Sequence, residues 1–301
     1  MTWDGLTLWF AAARWLGYLA AFLVVGAAAF RWVVLPRRRF DDSGPRTAAT
    51  AVLWARVGTA GFAVALVARL YFQTRSLLEA EDPITIEFLR AVLSTAWGKG
   101  WLVQAGAALL ALIGWRWLAR RAESRVARWA AIGGTVALVG SAPLTGHAVG
   151  LPGAPGYAPV LDLIHFGAGA TWLGTLGIIW AVARRQGDQT VAALIDAYSP
   201  VALVAGITTM AAGVVMALTY LGGLSPLLST GYGRTILLKL GATGATAAIG
   251  AYNWRVIGPR LRRGLKTPIL KSAVAELAVG LLILAITAFL VALPAPSESA
   301  D

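Results

Sequence analysis

The sequence predicts an all-α, polytopic membrane protein with eight transmembrane helices, arranged as two parallel four-helix repeats. Three observations support this prediction. Of the 301 residues, 58% are hydrophobic and only 13% are charged, whereas soluble domains carry about 25% charged residues. Apolar runs recur along the chain, each near the ~20 residues that a bilayer-spanning helix needs. A short phrase of polar and aromatic residues also occurs twice.

The apolar runs follow one another along the whole chain, separated by polar connections. In chain order they are Leu6–Leu35, Ala49–Phe72, Gly100–Leu118, Ala127–Pro143, Val160–Ala183, Ile195–Leu221, Arg234–Ile257 and Pro268–Leu293. The first run lacks a basic start and is followed by Arg-rich sequence, so we interpret it as a retained span. We therefore expect residues 1–301 to form a single membrane domain.

Basic residues are concentrated in alternate connections. The connections after the first, third, fifth and seventh runs, together with the adjoining ends of the runs, hold 18 of the 26 Lys and Arg residues. Because loops rich in Lys and Arg stay in the cytoplasm, this distribution places both termini on the outer side. The net charge of +12 is therefore a signal of topology and not of a nucleic-acid-binding surface.

Several kinds of chemistry are absent from the sequence. There is no cysteine, which excludes disulfides, iron–sulfur clusters and thiolate metal sites. The sequence also contains no Walker loop, no GxGxxG, no HExxH motif and no pair of carboxylates flanking a cleft. We therefore expect neither an enzyme nor a pump that hydrolyses nucleotides.

The repeated phrase is "LSTAWGKGWLVQ", from Leu93, and "LSTGYGRTILLK", from Leu228. Ser and Thr favour helix starts and aromatic residues favour the membrane interface, so each copy predicts an interfacial helix start. Four spans separate the copies, which gives them the same orientation, as in parallel repeats. We expect internal halves of about residues 1–145 and 146–301.

A second, ungapped match supports the repeat. "RWLGYLAAFLVVG", from Arg14, aligns with "DLIHFGAGATWLG", from Asp162. In this register Tyr18 corresponds to Phe166, and Gly26 corresponds to Gly174. Arg14 corresponds to Asp162, so the sequence suggests that these two charges meet near the axis that relates the halves.

The two histidines are predicted at one depth near the outer face, on adjacent antiparallel helices. His147 follows the fourth run, and His165 lies about 8 Å inside the fifth run at 1.5 Å per residue. Ionisable residues in a membrane are functional candidates by default. Asp162 and Trp172 share a helix face with His165, and Asp162 is a candidate acceptor for its second ring proton.

Two methionines add sulfur to this group. In the sixth run, Met216 is predicted at the depth of His165, and Met210 lies about one and a half turns deeper. Imidazole and thioether ligands without thiolate suit copper. We therefore predict a metal site at His147, His165 and Met216, with Asp162, Met210, Trp172 and Arg14 as supporting or pathway residues. Arg69 and Lys239 lie near the outer ends of their spans, and we expect their long side chains to extend to the membrane–water interface.

Three stretches together resemble the copper resistance protein D family (CopD) of bacterial inner-membrane proteins. They are "LTGHAVG", "LDLIHFGAGATWLG" and the long stretch that begins with "LSTGYGRTILLK". The resemblance implies passage of copper ions across the inner membrane in copper resistance or uptake. In such a membrane the outer side predicted above for both termini is the periplasm. It also implies a periplasmic copper-binding partner of the CopC type. His147 and His165 match the family pattern, whereas Gly17 stands where the family often has a first-span histidine.

Two alternatives remain open from the sequence. The histidines could be axial ligands in a haem b membrane electron carrier, which needs imidazoles on opposite sides of the ring. The chain could also be a non-transporting integral subunit or assembly factor of a membrane complex, a reading that Gly17 favours.

Overall fold

The fold was obtained as a computed structural model, which describes residues 5–37, 44–79, 81–146, 155–221 and 223–291. Within these ranges the chain is helical and contains no strand. The helices are α1 (Gly5–Ala29), α2 (Gly44–Arg75), α3 (Ile86–Ser94), α4 (Ala96–Arg120), α5 (Arg125–Gly140), α6 (Ala158–Gly169), α7 (Thr175–Ala183), α8 (Asp188–Leu221), α9 (Pro226–Ser229), α10 (Gly231–Tyr252), α11 (Gly258–Arg262) and α12 (Ile269–Leu290). The predicted all-α class is confirmed.

Among the described residues, six helical segments are long and apolar enough to cross a membrane. They are α1 with its extension to Arg37, α2, α4, the α6–α7 segment, α8 and α12. The other two predicted spans correspond to α5, with 16 residues, and α10, with 22 residues. Every predicted apolar run is therefore helical, but length and composition support six spans, and the count of eight stays a prediction.

The outer faces of the bundle are apolar. On α8 one exposed stripe consists of Leu203, Ile207, Val214 and Leu218, spaced as residues on one helix face are. Contiguous exposed apolar faces are unfavourable in water and favourable in lipid. Apolar side chains on the outer surface of the bundle are typical of a membrane protein.

Helix α1 lies at the centre of the bundle. It packs along α2 and also contacts the α6–α7 segment and α12. Directly after the C-terminal end of α1, Phe30 is fully buried, and the ring of Trp32 stacks on Trp115 of α4 with centroids 5.1 Å apart. This central position places α1 residues on the walls of any cavity within the bundle.

Glycines allow α1 and the turn that precedes α7, Ala170–Gly174, to approach to backbone contact. A Cβ on Gly26 would overlap the backbone of Gly174, and a Cβ on Gly174 would overlap the carbonyl of Phe22. Phe22 and Tyr18 lie one and two turns before Gly26 on α1. The Phe166 ring meets the Phe22 ring edge-on with centroids 5.6 Å apart, and its centroid lies 6.3 Å from that of the Tyr18 ring. Two of the residue pairs matched by the sequence alignment are thus in contact.

The repeated phrase forms the same helix start twice. Thr95 caps α4 by accepting from the Gly98 amide at 3.1 Å, and Thr230 caps α10 by accepting from the Gly233 amide at 3.0 Å. In both places a short helix precedes the cap, and the glycine packs on the backbone of that helix. The predicted helix starts are therefore confirmed.

In the part of the chain that the structure describes, three π-helical turns interrupt the long helices, and the sequence did not predict them. They cover Phe30–Val34, Ala170–Gly174 and Asn253–Ile257. The second joins α6 to α7, so the predicted fifth span contains a local change of helical pitch. Such turns are frequent at functional sites, and this one carries Trp172 and Gly174.

Candidate functional site

A cavity of about 260 Å³ lies at the end of the bundle where α1, α4, α6 and α10 begin. Among the residues predicted from sequence, those that line it are Arg14, Asp162, His165, Trp172, Met210 and Met216. The remaining predicted residue, His147, lies outside the described residues. Residues from three different sequence regions are therefore gathered around one space.

The His165 ring is fixed by a backbone carbonyl. Its Nδ1 lies 2.8 Å from the carbonyl oxygen of Thr209 on α8. Because a carbonyl oxygen only accepts, Nδ1 is the nitrogen that carries the proton. The neutral imidazole then presents the Nε2 lone pair. The Nδ1 acceptor is thus the Thr209 carbonyl, a group not singled out from sequence; the suggested role of the Asp162 carboxylate stays a prediction.

The same ring lies directly against a glycine. A Cβ on Gly213 would come within 2.9 Å of His165 Cε1 and 3.1 Å of Nδ1. Gly213 is three residues after Met210 and three before Met216, so the two methionines share its helix face. The imidazole therefore contacts α8 at Gly213, a position that lies between Met210 and Met216 along the helix.

The two methionines have different surroundings. Met216 packs on an apolar cluster that includes Tyr220, Tyr232 and Leu290. Met210 also lines the cavity, but 45% of its surface is exposed. Met216 is therefore the more enclosed sulfur, and Met210 lies where the cavity meets the lipid-facing side of α8.

Two basic side chains that were expected at the membrane interface enter the cavity instead. Arg69 donates from Nη1 to Gln104 at 3.1 Å and from Nη2 to Thr145 at 2.7 Å. Lys239 of α10 lines the same space and interacts electrostatically with Asp162 and His165. The expectation for both residues was wrong, because the helices that carry them turn these positions toward the interior.

Arg14 and Asp162 complete the charged lining. The Arg14 guanidinium lies over the Phe10 ring, 4.1 Å from its centroid. Asp162 interacts electrostatically with Tyr18 and Tyr220 in addition to Lys239. The cavity thus has a polar, charged wall beside an otherwise aromatic and aliphatic lining.

A buried polar network lies beyond Trp172. The Tyr198 hydroxyl donates to the Trp172 carbonyl at 2.9 Å. The Glu276 carboxylate accepts from Asn253 at 3.2 Å, and the Ser272 hydroxyl donates to the same asparagine at 2.6 Å. The asparagine that bonds the Glu276 carboxylate is the first residue of the third π-helical turn.

No preformed cluster of acidic and imidazole ligands is present in the described part of the chain. Within it, no three His, Cys, Asp or Glu side chains are grouped as a metal site. The donors gathered around the cavity are instead one imidazole, two thioethers and one carboxylate. Soft and borderline donors of this kind suit copper better than magnesium or calcium, which prefer oxygen ligands.

Comparison with known proteins adds a relative. Over 145 residues the chain is 27% identical to the Copper transport protein CutJ of Bacillus subtilis (strain 168). The match covers 47% of this chain and 26% of the relative, so the chain spans about a quarter of that protein's length. No solved structure matches the chain significantly.

Family profiles cover most of the sequence. Residues 5–157 match the profile described as "Copper resistance protein D-like, N-terminal domain", and residues 192–290 match that of "Copper resistance protein D". These descriptions denote copper resistance and not an enzyme activity. Together with the apolar helices, they show that this copper-related membrane protein belongs to the copper resistance protein D family.

Proposed function

We propose that this protein carries copper across the bacterial cytoplasmic membrane and that the cavity around His165 is where the ion is bound. The observation that carries this proposal is the orientation of His165. The Thr209 carbonyl accepts the Nδ1 proton, so the Nε2 lone pair remains available for a metal ion in the cavity that Met210 and Met216 also line. The relative's description as a copper transport protein supports the same cargo.

The chemistry of these donors favours monovalent copper. Thioether sulfur is a soft ligand, and imidazole is compatible with copper in either common oxidation state. A neutral ligand set also binds without releasing protons, unlike thiolates. We infer that His165 and Met216 hold the ion, and that Met210 receives it on the deeper side. His147 is proposed as a further ligand.

Other cavity residues have supporting roles. The Asp162 carboxylate attracts the cation, and Trp172 forms the wall on the side of the buried Glu276 network. Arg14 belongs to the charged wall on α1. These assignments follow from the residues that line the cavity.

We also propose the finer architecture. The protein has eight spans in two parallel halves, residues 1–145 and 146–301, within one membrane domain. Contacts between Gly26 and Gly174, and between Tyr18 and Phe166, support the repeat, because equivalent residues meet at the axis of a two-fold arrangement. The basic loops lie in the cytoplasm and both termini in the periplasm. A periplasmic CopC-type protein is the proposed partner that delivers or receives copper.

The test is copper binding by purified protein in lipid nanodiscs. Copper(I) is titrated in competition with a chromogenic chelator, comparing wild type with His165→Phe and Met216→Leu. Phenylalanine retains an aromatic ring against Gly213 but lacks the nitrogen. Thr171→Val, on the same helical segment but outside the cavity lining, is the matched control.

We expect one high-affinity copper ion for wild type and the control, a loss of at least ~100-fold for His165→Phe, and a smaller loss for Met216→Leu. Equal affinity for all four proteins would refute the site. An absorption band of bound haem, present in wild type and absent in His165→Phe, would instead support the electron-carrier alternative.

A further inference from the structure

The cavity that contains His165 has more positive than negative charge on its walls. Arg14, Arg69 and Lys239 are cationic, and Asp162 is the carboxylate among the described lining residues. Charges removed from water need partners, and a positively charged cargo makes the imbalance worse. A second, negatively charged occupant would resolve both difficulties.

Arg69 gives the most specific indication of such an occupant. Its two Nη atoms donate to neutral acceptors, the Gln104 amide oxygen and the Thr145 hydroxyl. These bonds hold the guanidinium in place without neutralising it. Its Nε is buried and has no hydrogen-bond partner among the described residues. An oriented arginine with an unused donor is suited to binding an oxyanion.

Arg14 and Lys239 extend this positive region. Arg14 is held by the Phe10 ring, which orients the guanidinium and leaves its charge in place. Arg14 and Arg69 interact electrostatically with each other and with the Tyr18 hydroxyl. Lys239 interacts with His165, so the region reaches the nitrogen ligand proposed for copper.

The cavity is also accessible from the lipid side. Met210, Val214 and Leu240 line it and are at the same time exposed. They belong to α8 and α10, two helices that contact each other only sparingly. An anionic group can therefore arrive either from water or as the headgroup of a lipid that enters between these helices.

We propose that Arg14, Arg69 and Lys239 form a binding subsite for an oxyanion, a carboxylate or phosphate group, beside His165. The subsite goes beyond the proposed copper site: it shares the cavity but does not require the metal. Its occupant offsets the positive charge of the walls and of any cation bound at His165. The two sources of the anion share this chemistry and differ in their route of entry.

The experiment measures the unfolding temperature of metal-free protein in nanodiscs. Acetate or inorganic phosphate is added to discs of neutral phosphatidylcholine, and a parallel series contains phosphatidylglycerol without added oxyanion. The proteins are wild type, Arg69→Gln, Lys239→Met and the control Lys99→Met, which removes an exposed charge outside the cavity. Binding to the folded state raises the unfolding temperature.

We expect a rise of several degrees in wild type and in Lys99→Met that is lost in Arg69→Gln and Lys239→Met. A rise with acetate or phosphate identifies a free anion, and a rise confined to phosphatidylglycerol identifies a lipid headgroup. Equal shifts in all four proteins, or none in wild type, would overturn the subsite. If Arg69→Gln fails to fold, Arg69→Lys and Lys239→Met still decide the matter.

Copper titration of the same samples keeps the two proposals apart. An oxyanion-dependent shift without copper binding would refute the copper site alone. Copper binding that is lost in His165→Phe, without any oxyanion-dependent shift, would refute the subsite alone.

Discussion

Gly26 of α1 and Gly174 at the end of the second π-helical turn touch through their backbones. No side chain separates them, and the aromatic rings of Tyr18 and Phe166 meet two turns earlier in both helical segments. Both pairs are equivalent residues in the ungapped alignment of the first and fifth spans. The contact thus joins the two halves of the sequence at matched positions.

The glycine contact predicts a strong effect of a single methyl group. We expect Gly26→Ala to destabilise the protein by about 1–3 kcal/mol, because the added Cβ overlaps the Gly174 backbone and forces the helices apart. Gly106→Ala, where a Cβ meets nothing within 4 Å, is the control and should be nearly neutral. Thermal unfolding in detergent measures both. Equal stability of the two variants would show that the close contact is absent.

The position of the His165 ring depends on a second glycine. We expect Gly213→Ala to weaken copper binding by roughly 10–100-fold, the range for displaced supporting groups, since its Cβ would come 2.9 Å from Cε1 of the ring. The overall fold should persist. Gly241→Ala on α10, with open space around the Cβ, should bind like wild type. Unchanged affinity in Gly213→Ala would argue against copper ligation by this imidazole.

The two copies of the repeated phrase should contribute equally to stability. Thr95→Ala and Thr230→Ala each remove the side chain that accepts the third amide of a long helix. We expect each to cost about 1 kcal/mol, and the double variant to cost about their sum because the sites are far apart. Thr→Ser replacements retain the oxygen and should cost less. Denaturant titration in mixed micelles gives the comparison, and an effect at only one copy would contradict structural equivalence.

An added imidazole at position 17 should strengthen metal binding. Gly17 lines the cavity one turn after Arg14, and a Cβ there makes an ordinary 3.6 Å contact with Ala65. We expect Gly17→His to raise copper(I) affinity by about tenfold, the effect of one further ligand worth about 1.4 kcal/mol. Gly140→His, outside the cavity lining, should have no effect. Chelator competition measures both, and a decrease for Gly17→His would show that the site cannot use this position.

The charge distribution predicts the topology. A reporter active only in the cytoplasm should be silent when fused after Asp301 and active when inserted at Gly187, between α7 and α8. The physical reason is the retention of Arg-rich loops on the cytoplasmic side. The reverse pattern would invert the proposed orientation, and activity at both positions would exclude the eight-span arrangement.

Much of this protein was predictable because membrane helices are local objects. The hydrocarbon environment requires each backbone amide to be satisfied within its own helix, so an apolar run such as Ile195–Leu221 is enough to predict a helix. Helix α8 includes that run and begins earlier, at Asp188. The two threonine caps were predictable for the same reason, since a cap bonds an amide three residues away.

The candidate site was predictable only in part. Depth along a helix follows from residue number, so His165, Asp162 and Met216 could be assigned to one end of the bundle. Which way a side chain faces depends on the rotation and tilt of its helix, which packing against neighbours decides. The Thr209 carbonyl carries no sequence signal at all, because every residue has one.

The sequence by itself determined the helical class, the membrane environment, both helix starts of the repeated phrase and the pairing of Gly26 with Gly174 in an alignment. Tertiary structure alone decided that this pairing is a contact, that Arg69 and Lys239 face inward, and that Glu276 bonds to Asn253. The physical reason is the distance along the chain over which each interaction acts. Hydrophobicity and capping act over one helix turn, whereas the direction of a side chain and its polar partners depend on contacts between helices that are distant in sequence.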